Sequence, residues 1–435
     1  MNWFSLSLQL NRFPIKKAKK VLEEIRNIPE EEYKTYVGER KREIVEHHLK
    51  HNPFYRDFFG SSEYNTWQEV PVMQKKNLQR PLEERFSKGF NSGNSHVGKT
   101  SGSSGHPFIF AKDKFCHALS WAEFYDRYRW YNIDLDKSLQ ARFYGIPFDQ
   151  YGYFKERLKD YFGRRYRFPI FNLHDEKMEE FLLKFQKRPF EYINGYTSSI
   201  LLFAKFLQKK NLVLKNICPS LRLCIVTSEM LFEEDRKLME ETFGVPIVNE
   251  YGASELGLLA FQNTAGELIL NSETLFVEIL DETGKAVAPG EEGRIIITSL
   301  YNKAHPFIRY DIGDSGALAE NSGVKKGILK TLLGRTNDVA VLSSGKVVPG
   351  LTFYYVTKTV IENSGNIKEF IVQQTAPGSF KVIYVSEDEL NLPQKKKIEA
   401  AMETYLEKGL NLSFEHKLLL DRSKRGKLKQ FESLV

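Results

Sequence analysis

Residues 221–255 read LRLCIVTSEMLFEEDRKLMEETFGVPIVNEYGASE and show the organisation of the chain most clearly. The apolar run at 221–226 predicts a strand, the spacing within 233–243 predicts a helix, and 246–248 predicts a second strand. A helix-like segment at 198–209 comes before them. Strands that alternate with helices are typical of a parallel sheet covered by helices. This stretch therefore predicts an α/β fold.

The chain changes character downstream of this stretch. Short strands are predicted at 276–280, 293–297 and 317–318, and turn residues such as Pro289-Gly290 interrupt them. We therefore expect an antiparallel sheet or a distorted β-barrel-like part attached to the parallel α/β part.

A domain boundary is predicted near Gly334. Beyond it, the pattern predicts a helix at 393–408 and strands at 339–342, 367–374, 379–385 and near 412–420. About a hundred residues with this mixture are enough for a compact α+β domain. We therefore expect a large N-terminal domain at 1–334, with a helical lead-in over 1–60, and a small C-terminal α+β domain at 335–435.

The lead-in predicts two helices over 15–60, separated near Pro29. Three histidines of the second helix, His47, His48 and His51, have helical spacing. A metal site is one interpretation of this spacing, and a solvated helix face is the other. We expect the solvated face.

The composition bounds the class of protein. The 435 residues are 41% hydrophobic and 13% aromatic and carry a net charge of +7, which is typical of a globular protein large enough for two domains. This charge suits an anionic ligand such as a nucleotide but is too diffuse to indicate a nucleic-acid partner.

The three cysteines are too few for a disulfide framework or a four-cysteine zinc site. We therefore expect the protein to be located in the reducing cytoplasm. No apolar run is long enough for a transmembrane helix, and the N-terminal segment either packs on the protein or contacts a membrane surface.

The segment 99–107 reads KTSGSSGHP and is rich in small hydroxyl residues and glycine. Glycine leaves the backbone free to direct several N–H groups inward, and the hydroxyls add further donors. Such a loop can hold the oxygens of a polyphosphate. It is not a Walker A loop, because no Gly-Lys-Ser/Thr follows at the required spacing. The alternative is a flexible tether.

A second motif, NEYGASE at 249–255, follows the predicted strand at 246–248. Ligands of α/β sheets bind where strands end in polar turns. Tyr251 offers a flat face for a base, and Glu255 offers a hard oxygen ligand for Mg²⁺. The alternative is a strand-to-helix turn with a capping acid.

Three further motifs carry charged side chains. The run RYDIGD at 309–314 combines an arginine, suited to a position near phosphate, with carboxylates suited to ribose hydroxyls. A surface ion-pair turn is the alternative. The run GRTND at 334–338 lies at the predicted domain boundary, and DRSKRGKLK at 421–429 is basic and near the end of the chain. Most such basic segments are simply solvated.

The order of these five motifs resembles that of the adenylate-forming (acyl-CoA synthetase-like) superfamily, and within it the phenylacetate-CoA ligase branch. The chain is most similar to the subgroup associated with capsular polysaccharide biosynthesis (CapK-like). The resemblance covers nearly the whole chain and includes further segments at 42–45, 52–56, 70–75, 193–198 and 226–231.

The resemblance implies a role for each matching residue. The phosphates of ATP would be held by Thr100, Ser101, Gly102, Ser103, Ser104 and Gly105. The adenine and acyl pockets would be lined by Ser228, Glu229, Asn249, Glu250, Tyr251 and Gly252, with Tyr251 against the base. Glu255 would hold Mg²⁺, and Asp314 would bind the ribose hydroxyls. Arg335 would assist at ribose or phosphate, and Lys427 would reach the α-phosphate from a mobile C-terminal domain.

The resemblance also implies the reaction. A carboxylic acid would attack the α-phosphate of ATP, pyrophosphate would leave, and coenzyme A would then displace AMP from the acyl adenylate. One alternative is that the acyl group is transferred to a sugar amine or hydroxyl. The other is that the protein binds nucleotide without catalysing a reaction. Asn337 stands where the family usually has Asp or Lys at the hinge, and Asp421 replaces the proline that usually opens the lysine motif. These departures affect the expected domain rotation and acceptor more than adenylation.

Overall fold

The computed structural model describes residues 3–61, 63–99, 108–145, 150–170, 173, 175–229, 231–333, 339–349, 352–353, 356, 367–386, 388–417 and 431–435. The α/β class predicted from the sequence is confirmed, with a large sheet and a smaller C-terminal sheet. The chain forms two compact units. The first unit comprises Met1–Thr100, Ile109–Lys137 and Val248–Gly334, and the second comprises Ser101–Phe108, Ser138–Ile247 and Arg335–Val435.

The described helices are α1 (Trp3–Leu10), α2 (Ile15–Arg26), α3 (Glu30–His51), α4 (Pro53–Phe59), α5 (Leu82–Arg85), α6 (Lys114–Arg129), α7 (Gln150–Phe162), α8 (Asp175–Lys187), α9 (Thr197–Lys209), α10 (Leu214–Ile217), α11 (Glu233–Phe243) and α12 (Leu392–Tyr405). The described strands are β1 (Met73–Gln74), β2 (Ser95–Lys99), β3 (Ile109–Asp113), β4 (Gln140–Phe143), β5 (Arg165–Phe168), β6 (Tyr192–Tyr196), β7 (Leu223–Thr227), β8 (Ile247–Ala253), β9 (Gly257–Gln262), β10 (Leu268–Leu270), β11 (Leu275–Leu280), β12 (Gly293–Ser299), β13 (Tyr310–Leu318), β14 (Ile328–Leu333), β15 (Val339–Val341), β16 (Val347–Pro349), β17 (Ile367–Ala376), β18 (Ser379–Ser386), β19 (Asn411–His416) and β20 (Phe431–Ser433). Within these described ranges, no helix is both long and apolar enough to cross a membrane.

The strands of the first unit run in the order β11-β12-β13-β14-β10-β9-β8, and each neighbouring pair is antiparallel. Strand β1 joins β13 in parallel, with Met73 opposite Tyr310. The register shifts within the β12–β13, β13–β14 and β8–β9 pairs. Such irregularities bend a sheet locally. The antiparallel, distorted part predicted from the sequence is therefore present.

The second unit contains the parallel sheet, in the order β7-β6-β4-β5. Its core is a cluster of stacked and edge-on phenylalanines that includes Phe143, Phe168 and Phe185. Gly195 of β6 is required for the sheet, because a Cβ there would lie 2.4 Å from the carbonyl oxygen of Phe143. The C-terminal strands form a separate sheet, β19-β18-β17-β20, whose core includes residues of α12.

The lead-in differs from the two helices predicted. Three helices cover residues 15–59, because a break at Asn52 separates α3 from α4. Proline at position 53 cannot continue the preceding helix but suits the first turn of the next one. The side chain of Asn52 caps that turn, accepting a hydrogen bond from the Tyr55 backbone N–H at 2.8 Å. The prediction of two helices was therefore wrong at this position.

His48 also departs from the predicted solvated face, since it is fully buried. Its Nε2 lies 2.9 Å from the carbonyl oxygen of Asn302, and its Nδ1 lies 3.1 Å from the hydroxyl of Ser87. A neutral ring satisfies both contacts by donating to the carbonyl and accepting from the hydroxyl. Burial lowers the pKa of His48 to about 3. The residue is a neutral core histidine.

This burial predicts that acid destabilises the protein. An unfolded His48 binds a proton near pH 6.5 and the folded one only near pH 3, so stability is lost as the pH falls below 6.5. The contribution amounts to about 2 kcal/mol between pH 6.5 and 5. Thermal unfolding at pH 7 and pH 5 measures it. The variant His48→Gln, less stable at pH 7, should show a smaller further loss at pH 5 than the unmodified protein, whereas the control His51→Gln should show the full loss. An equal acid-induced loss in His48→Gln would contradict the assignment.

Candidate functional site

Part of the predicted site lies outside the described residues. The predicted phosphate-binding residues Thr100 to Gly105 come between β2 and β3 in the sequence and are among the residues not described, as are Arg335 and Lys427. Their roles stay predictions.

The NEYGASE motif is not a turn after a short strand, as predicted. Strand β8 continues to Ala253, so Asn249, Glu250, Tyr251 and Gly252 all lie within it. The strand is longer because β9 returns antiparallel to it and pairs with it, placing Ala260 opposite Tyr251. The motif thus forms a β-hairpin, and the strand-to-helix alternative is wrong.

Glu255 lies in the tight turn of this hairpin and is 7% exposed. The turn closes with a hydrogen bond from Leu256 N–H to the Ala253 carbonyl at 3.1 Å. Gly257 has φ +95°, a conformation that other residues rarely adopt. This left-handed glycine is the local reason that the chain reverses directly after Glu255.

Tyr251 and Asp314 are joined by a hydrogen bond. The Tyr251 hydroxyl donates to Asp314 Oδ2 at 2.8 Å, across a sequence separation of 63 residues. The other carboxylate of the motif, Asp311, instead accepts from the Arg294 guanidinium and from Gly313 N–H, each at 2.8 Å. Asp311 therefore has a structural role, whereas Asp314 contacts Tyr251, the residue predicted to stack on the base.

Arg309 has a structural role that the sequence did not indicate. It is 3% exposed, and its guanidinium donates to the carbonyl oxygens of Val70 and Gln68 at 2.7 and 3.2 Å. It also lies 3.4 Å from the carboxylate of Glu278. The guanidinium thus fastens the segment before β1 to the sheet. The position near phosphate predicted for this arginine stays a prediction.

Glu250 and Tyr251 project to opposite faces of β8, as neighbours in a strand must. The buried Glu250 carboxylate accepts a hydrogen bond from the hydroxyl of Tyr128 on α6 at 2.7 Å. Asn249 is fixed through its backbone, whose N–H donates to the side chain of Gln262 at 3.1 Å. The helix α6 therefore buttresses the strand that carries the motif.

The Glu255 carboxylate has one hydrogen-bond donor and a lysine nearby. The hydroxyl of Tyr310 donates to its Oε1 at 3.2 Å. Lys112 of β3 is 3% exposed and contributes a positive charge beside Glu255 and Glu123. A Cβ placed on Gly257 would lie 3.4 Å from Lys112 Nζ, so the ammonium group lies against the hairpin turn.

Lys112 is a candidate functional residue that the sequence reasoning missed. Burial lowers its pKa from the usual lysine range. Among the described residues, no hydrogen bond or ion pair of its ammonium group is formed. A signal was present in the sequence. Phe110 and Lys112 are two residues apart in β3, and period two places them on the same face of the strand.

Glu123 of α6 completes the buried charge cluster. Burial raises its pKa to about 8, and its carboxyl group accepts a hydrogen bond from the hydroxyl of Thr274. At neutral pH this carboxyl group is therefore largely protonated. Of the two carboxyl groups beside Lys112, Glu255 is consequently the one suited to a cation or a charged substrate.

The donor set around Glu255 meets part of what Mg²⁺ requires. Among the described residues, no group of three acidic, histidine or cysteine side chains could hold a metal ion by itself. Glu255 supplies hard carboxylate oxygen, one atom of which already accepts from Tyr310. Mg²⁺ commonly takes one or two carboxylates and completes its shell with water and phosphate oxygens. The residues fit Mg²⁺ delivered with a polyphosphate, rather than a metal held by protein alone.

Ser228 and Glu229 belong to the second unit and follow the carboxyl end of β7. Ser228 has φ +71°, an uncommon value for a residue other than glycine. The backbone carbonyl of Glu229 accepts from the hydroxyl of Thr197 at 3.3 Å. Carboxyl ends of parallel strands are where open α/β sheets bind ligands. Both residues therefore lie at the carboxyl-end edge of the parallel sheet, and their place in the adenine and acyl pockets stays a prediction.

An aromatic pair lies at the same edge of the parallel sheet. The rings of Tyr144 and Tyr196, which follow or end β4 and β6, meet edge to face with centroids 4.7 Å apart. The Tyr144 hydroxyl donates to Asn194 Oδ1 at 3.1 Å. These side chains provide an apolar surface with a polar rim at the carboxyl ends.

A cavity of about 490 Å³ lies at the opposite edge of this sheet. Its lining includes Leu139, Glu191 and Arg222, each the residue immediately before a parallel strand. Open α/β sheets usually bind ligands at the carboxyl ends of their strands, not at the amino ends. This cavity is therefore not the predicted site.

The comparisons with known proteins agree with this architecture. No family model matches the chain. Protein CapK of Staphylococcus aureus is 26% identical over 254 residues, covering 56% of this chain and 53% of CapK. Phenylacetate-coenzyme A ligase of Thermus thermophilus is 29% identical over 138 residues, covering 30% of this chain and 31% of that ligase. The matches thus span about half the length of CapK and less than a third of the ligase.

Solved structures share the fold over most of the chain. An open conformation of 2-hydroxyisobutyryl-CoA ligase in complex with 2-HIB-AMP and CoA superimposes with TM-score 0.55, at 14% identity, covering 91% of each chain. The same ligase in its thioesterification state gives TM-score 0.56, at 14% identity, covering 94% of this chain and 91% of that one. Similarity at this identity establishes the fold alone.

The fold is that of the adenylate-forming enzymes. In sequence, the chain is similar to CapK and to phenylacetate-CoA ligases over part of their length.

Proposed function

We propose that this protein activates a carboxylic acid with ATP, releasing pyrophosphate and forming an acyl adenylate, and then transfers the acyl group to coenzyme A. The single observation that carries the proposal is the hydrogen bond between Tyr251 and Asp314. It joins the residue proposed to stack on adenine to the residue proposed to bind ribose. A nucleoside needs these two functions side by side.

The proposed chemistry follows from charge. The acid's carboxylate attacks the α-phosphate against the negative charge of both partners, and pyrophosphate departs with its electron pair. Cations that meet the developing charge lower this barrier. We propose that Lys427 supplies one such cation at the α-phosphate, with Arg335 assisting at ribose or phosphate. The loop from Thr100 to Gly105 would hold the leaving phosphates.

Mg²⁺ would be held by Glu255 and would neutralise phosphate charge when bound. Tyr310 would keep the Glu255 carboxylate in place by donating to one of its oxygens at 3.2 Å. Lys112 would stabilise the same buried carboxylate before the substrate arrives. Ser228 and Glu229 are proposed to contribute to the acid pocket, with the acid itself left open.

In the second step, the acyl group would pass from AMP to coenzyme A. The coenzyme A thiolate would attack the acyl carbonyl and AMP would leave, so the lysine that served the first step must withdraw. We propose that the chain divides for this purpose into domains 1–334 and 335–435, with the hinge at Asn337. Asparagine there lacks the charge that the family usually has, so the rotation is where this protein is proposed to differ.

A second candidate acceptor is the amine or hydroxyl of a sugar. The observation that favours it is the longer match to CapK, over 56% of this chain against 30% for the ligase. A nucleophilic amine or hydroxyl would displace AMP from the same adenylate. A non-catalytic nucleotide-binding role is the third candidate, and the joint presence of Glu255, Asp314 and Lys427 argues against it.

The test is exchange of labelled pyrophosphate into ATP, with a panel of carboxylic acids. We expect exchange that depends on one class of acid and on Mg²⁺. Release of AMP should then accelerate with coenzyme A. Acceleration by a sugar amine but not by coenzyme A would favour the second candidate. Exchange with none of the acids, together with measurable ATP binding, would favour the third.

Asp314 provides a test within the described residues. The variant Asp314→Asn should raise the KM for ATP by about tenfold to a hundredfold, because hydrogen bonds to a charged group are worth about 1.5–3 kcal/mol. The matched control Tyr251→Phe removes the 2.8 Å hydrogen bond but keeps the ring and the carboxylate, so its effect should be smaller. Exchange kinetics at varied ATP measure both. An unchanged KM in Asp314→Asn would remove Asp314 from the nucleotide site.

A further inference from the structure

Helix α7 of the second unit exposes a stripe of large apolar side chains. Phe154, Leu158 and Tyr161 are 68%, 46% and 77% exposed. They are four and three residues apart, the spacing that aligns side chains along one face of a helix. Single exposed apolar residues are common, but a contiguous row of this kind marks an interaction surface. We call this row the α7 stripe.

The opposite face of α7 is anchored to the sheet by charge. Arg167 of β5 is 6% exposed, and its Nε donates to Asp160 Oδ2 at 2.9 Å while its Nη2 donates to Glu156 Oε2 at 2.7 Å. Glu156 and Asp160 are one helical turn apart and both face inward. The orientation of α7 is therefore determined by a buried ion-pair network, and the stripe is its outer face.

The edges of the stripe are basic. Lys155 and Lys159 are exposed, and the rotation of about 100° per residue places them beside Leu158. Arg157 lies along the other edge, where its guanidinium donates to the Arg167 carbonyl at 3.1 Å. Glu156 also accepts a hydrogen bond from Lys159 at 2.7 Å, so Lys159 is partly neutralised. Glu156 and Asp160 are both paired with Arg167, so the basic side chains still outnumber the acidic ones beside the apolar row.

We propose that α7 is a membrane-contact helix that lies in the headgroup region of a bilayer rich in anionic lipid. Helices that lie in this region have an apolar face with Phe, Leu or Trp and a polar face with Lys or Arg. Aromatic side chains favour the interface between headgroups and acyl chains, and the basic edges attract anionic headgroups. The proposal adds a peripheral site of action to the enzyme and does not depend on its reaction.

The test is flotation of the full-length protein with lipid vesicles. One set of vesicles is phosphatidylcholine alone, and the other is phosphatidylcholine mixed with phosphatidylglycerol. We expect binding to the mixed vesicles, weaker binding to phosphatidylcholine, and a decrease as salt screens the charges. The triple variant Phe154→Ser, Leu158→Ser, Tyr161→Ser should bind the mixed vesicles at least about tenfold more weakly.

The control replaces an equal number of exposed apolar residues elsewhere: Leu183→Ser, Val324→Ser and Leu392→Ser, which are 49%, 45% and 67% exposed. It should bind like the unmodified protein. Thermal unfolding checks that all variants fold. Equal vesicle binding by the two triple variants, or absence of binding by the unmodified protein, would overturn the proposal. The proposal would also be overturned if light scattering showed a dimer that only the stripe variant loses, while vesicle binding stays unchanged.

Discussion

Replacing Lys427 by alanine is expected to lower acid-dependent exchange of pyrophosphate into ATP by about 100-fold or more, since removal of one charge-stabilising donor commonly costs 10²–10³ in rate. The expected loss is large because attack on the α-phosphate brings two negatively charged groups together. ATP binding should change little, since the loss concerns the transition state. Exchange rates at saturating ATP and acid measure the effect.

The matched control is Lys424→Ala, which removes an equal charge from the same basic segment. It should retain most of the exchange activity. If both variants lose activity equally, the segment acts through its overall charge and Lys427 has no special role. The second step offers a further check. Chemically prepared acyl adenylate should react with coenzyme A nearly as fast in Lys427→Ala as in the unmodified enzyme, because the lysine is proposed for adenylation alone.

Glu255→Gln is expected to lower exchange by about 100-fold at ordinary Mg²⁺ concentration, because the change removes the carboxylate proposed to hold the ion. Part of the loss should be recovered by raising Mg²⁺. The amide keeps an oxygen that accepts from Tyr310, so the fold should be preserved. Exchange rates over a range of Mg²⁺ concentrations, with thermal unfolding alongside, measure both effects.

The control for this variant is Glu267→Gln, a half-buried carboxylate of the same unit that pairs with Lys326. It should leave the Mg²⁺ dependence unchanged. A loss in Glu255→Gln that no concentration of Mg²⁺ reduces, without any change of stability, would exclude a metal role for Glu255. The carboxylate would then act through its interaction with Lys112.

The helices and strands that the sequence predicted best have strong local periodicity. The helix at Glu233–Phe243 is found where the spacing predicted it, and the strands at Ile367–Ala376 and Ser379–Ser386 extend by only one or two residues. Periods of 3.6 and 2 are properties of a short stretch of chain, so they can be recognised without the fold. The domain boundary near Gly334 stays a prediction.

The site was less accessible to such reasoning, because its residues depend on distant partners. The length of β8 depends on its pairing with β9, and the burial of Arg309 depends on carbonyls at Gln68 and Val70. His48 reads as an ordinary helix histidine until Asn302, 254 residues away, is brought to it. A single sequence contains no direct record of such contacts.

The sequence by itself determined the α/β class and the order of the motifs, and through that order the resemblance to the adenylate-forming enzymes. These depend on residue type and spacing, which the chain displays directly. Only the tertiary structure decided that Tyr251 reaches Asp314 and not Asp311, that Lys112 lies against the Glu255 hairpin, and that α7 presents its apolar face outward. Each of these results from packing between segments far apart in the chain, where burial and hydrogen-bond geometry select among side chains that look equivalent in the sequence.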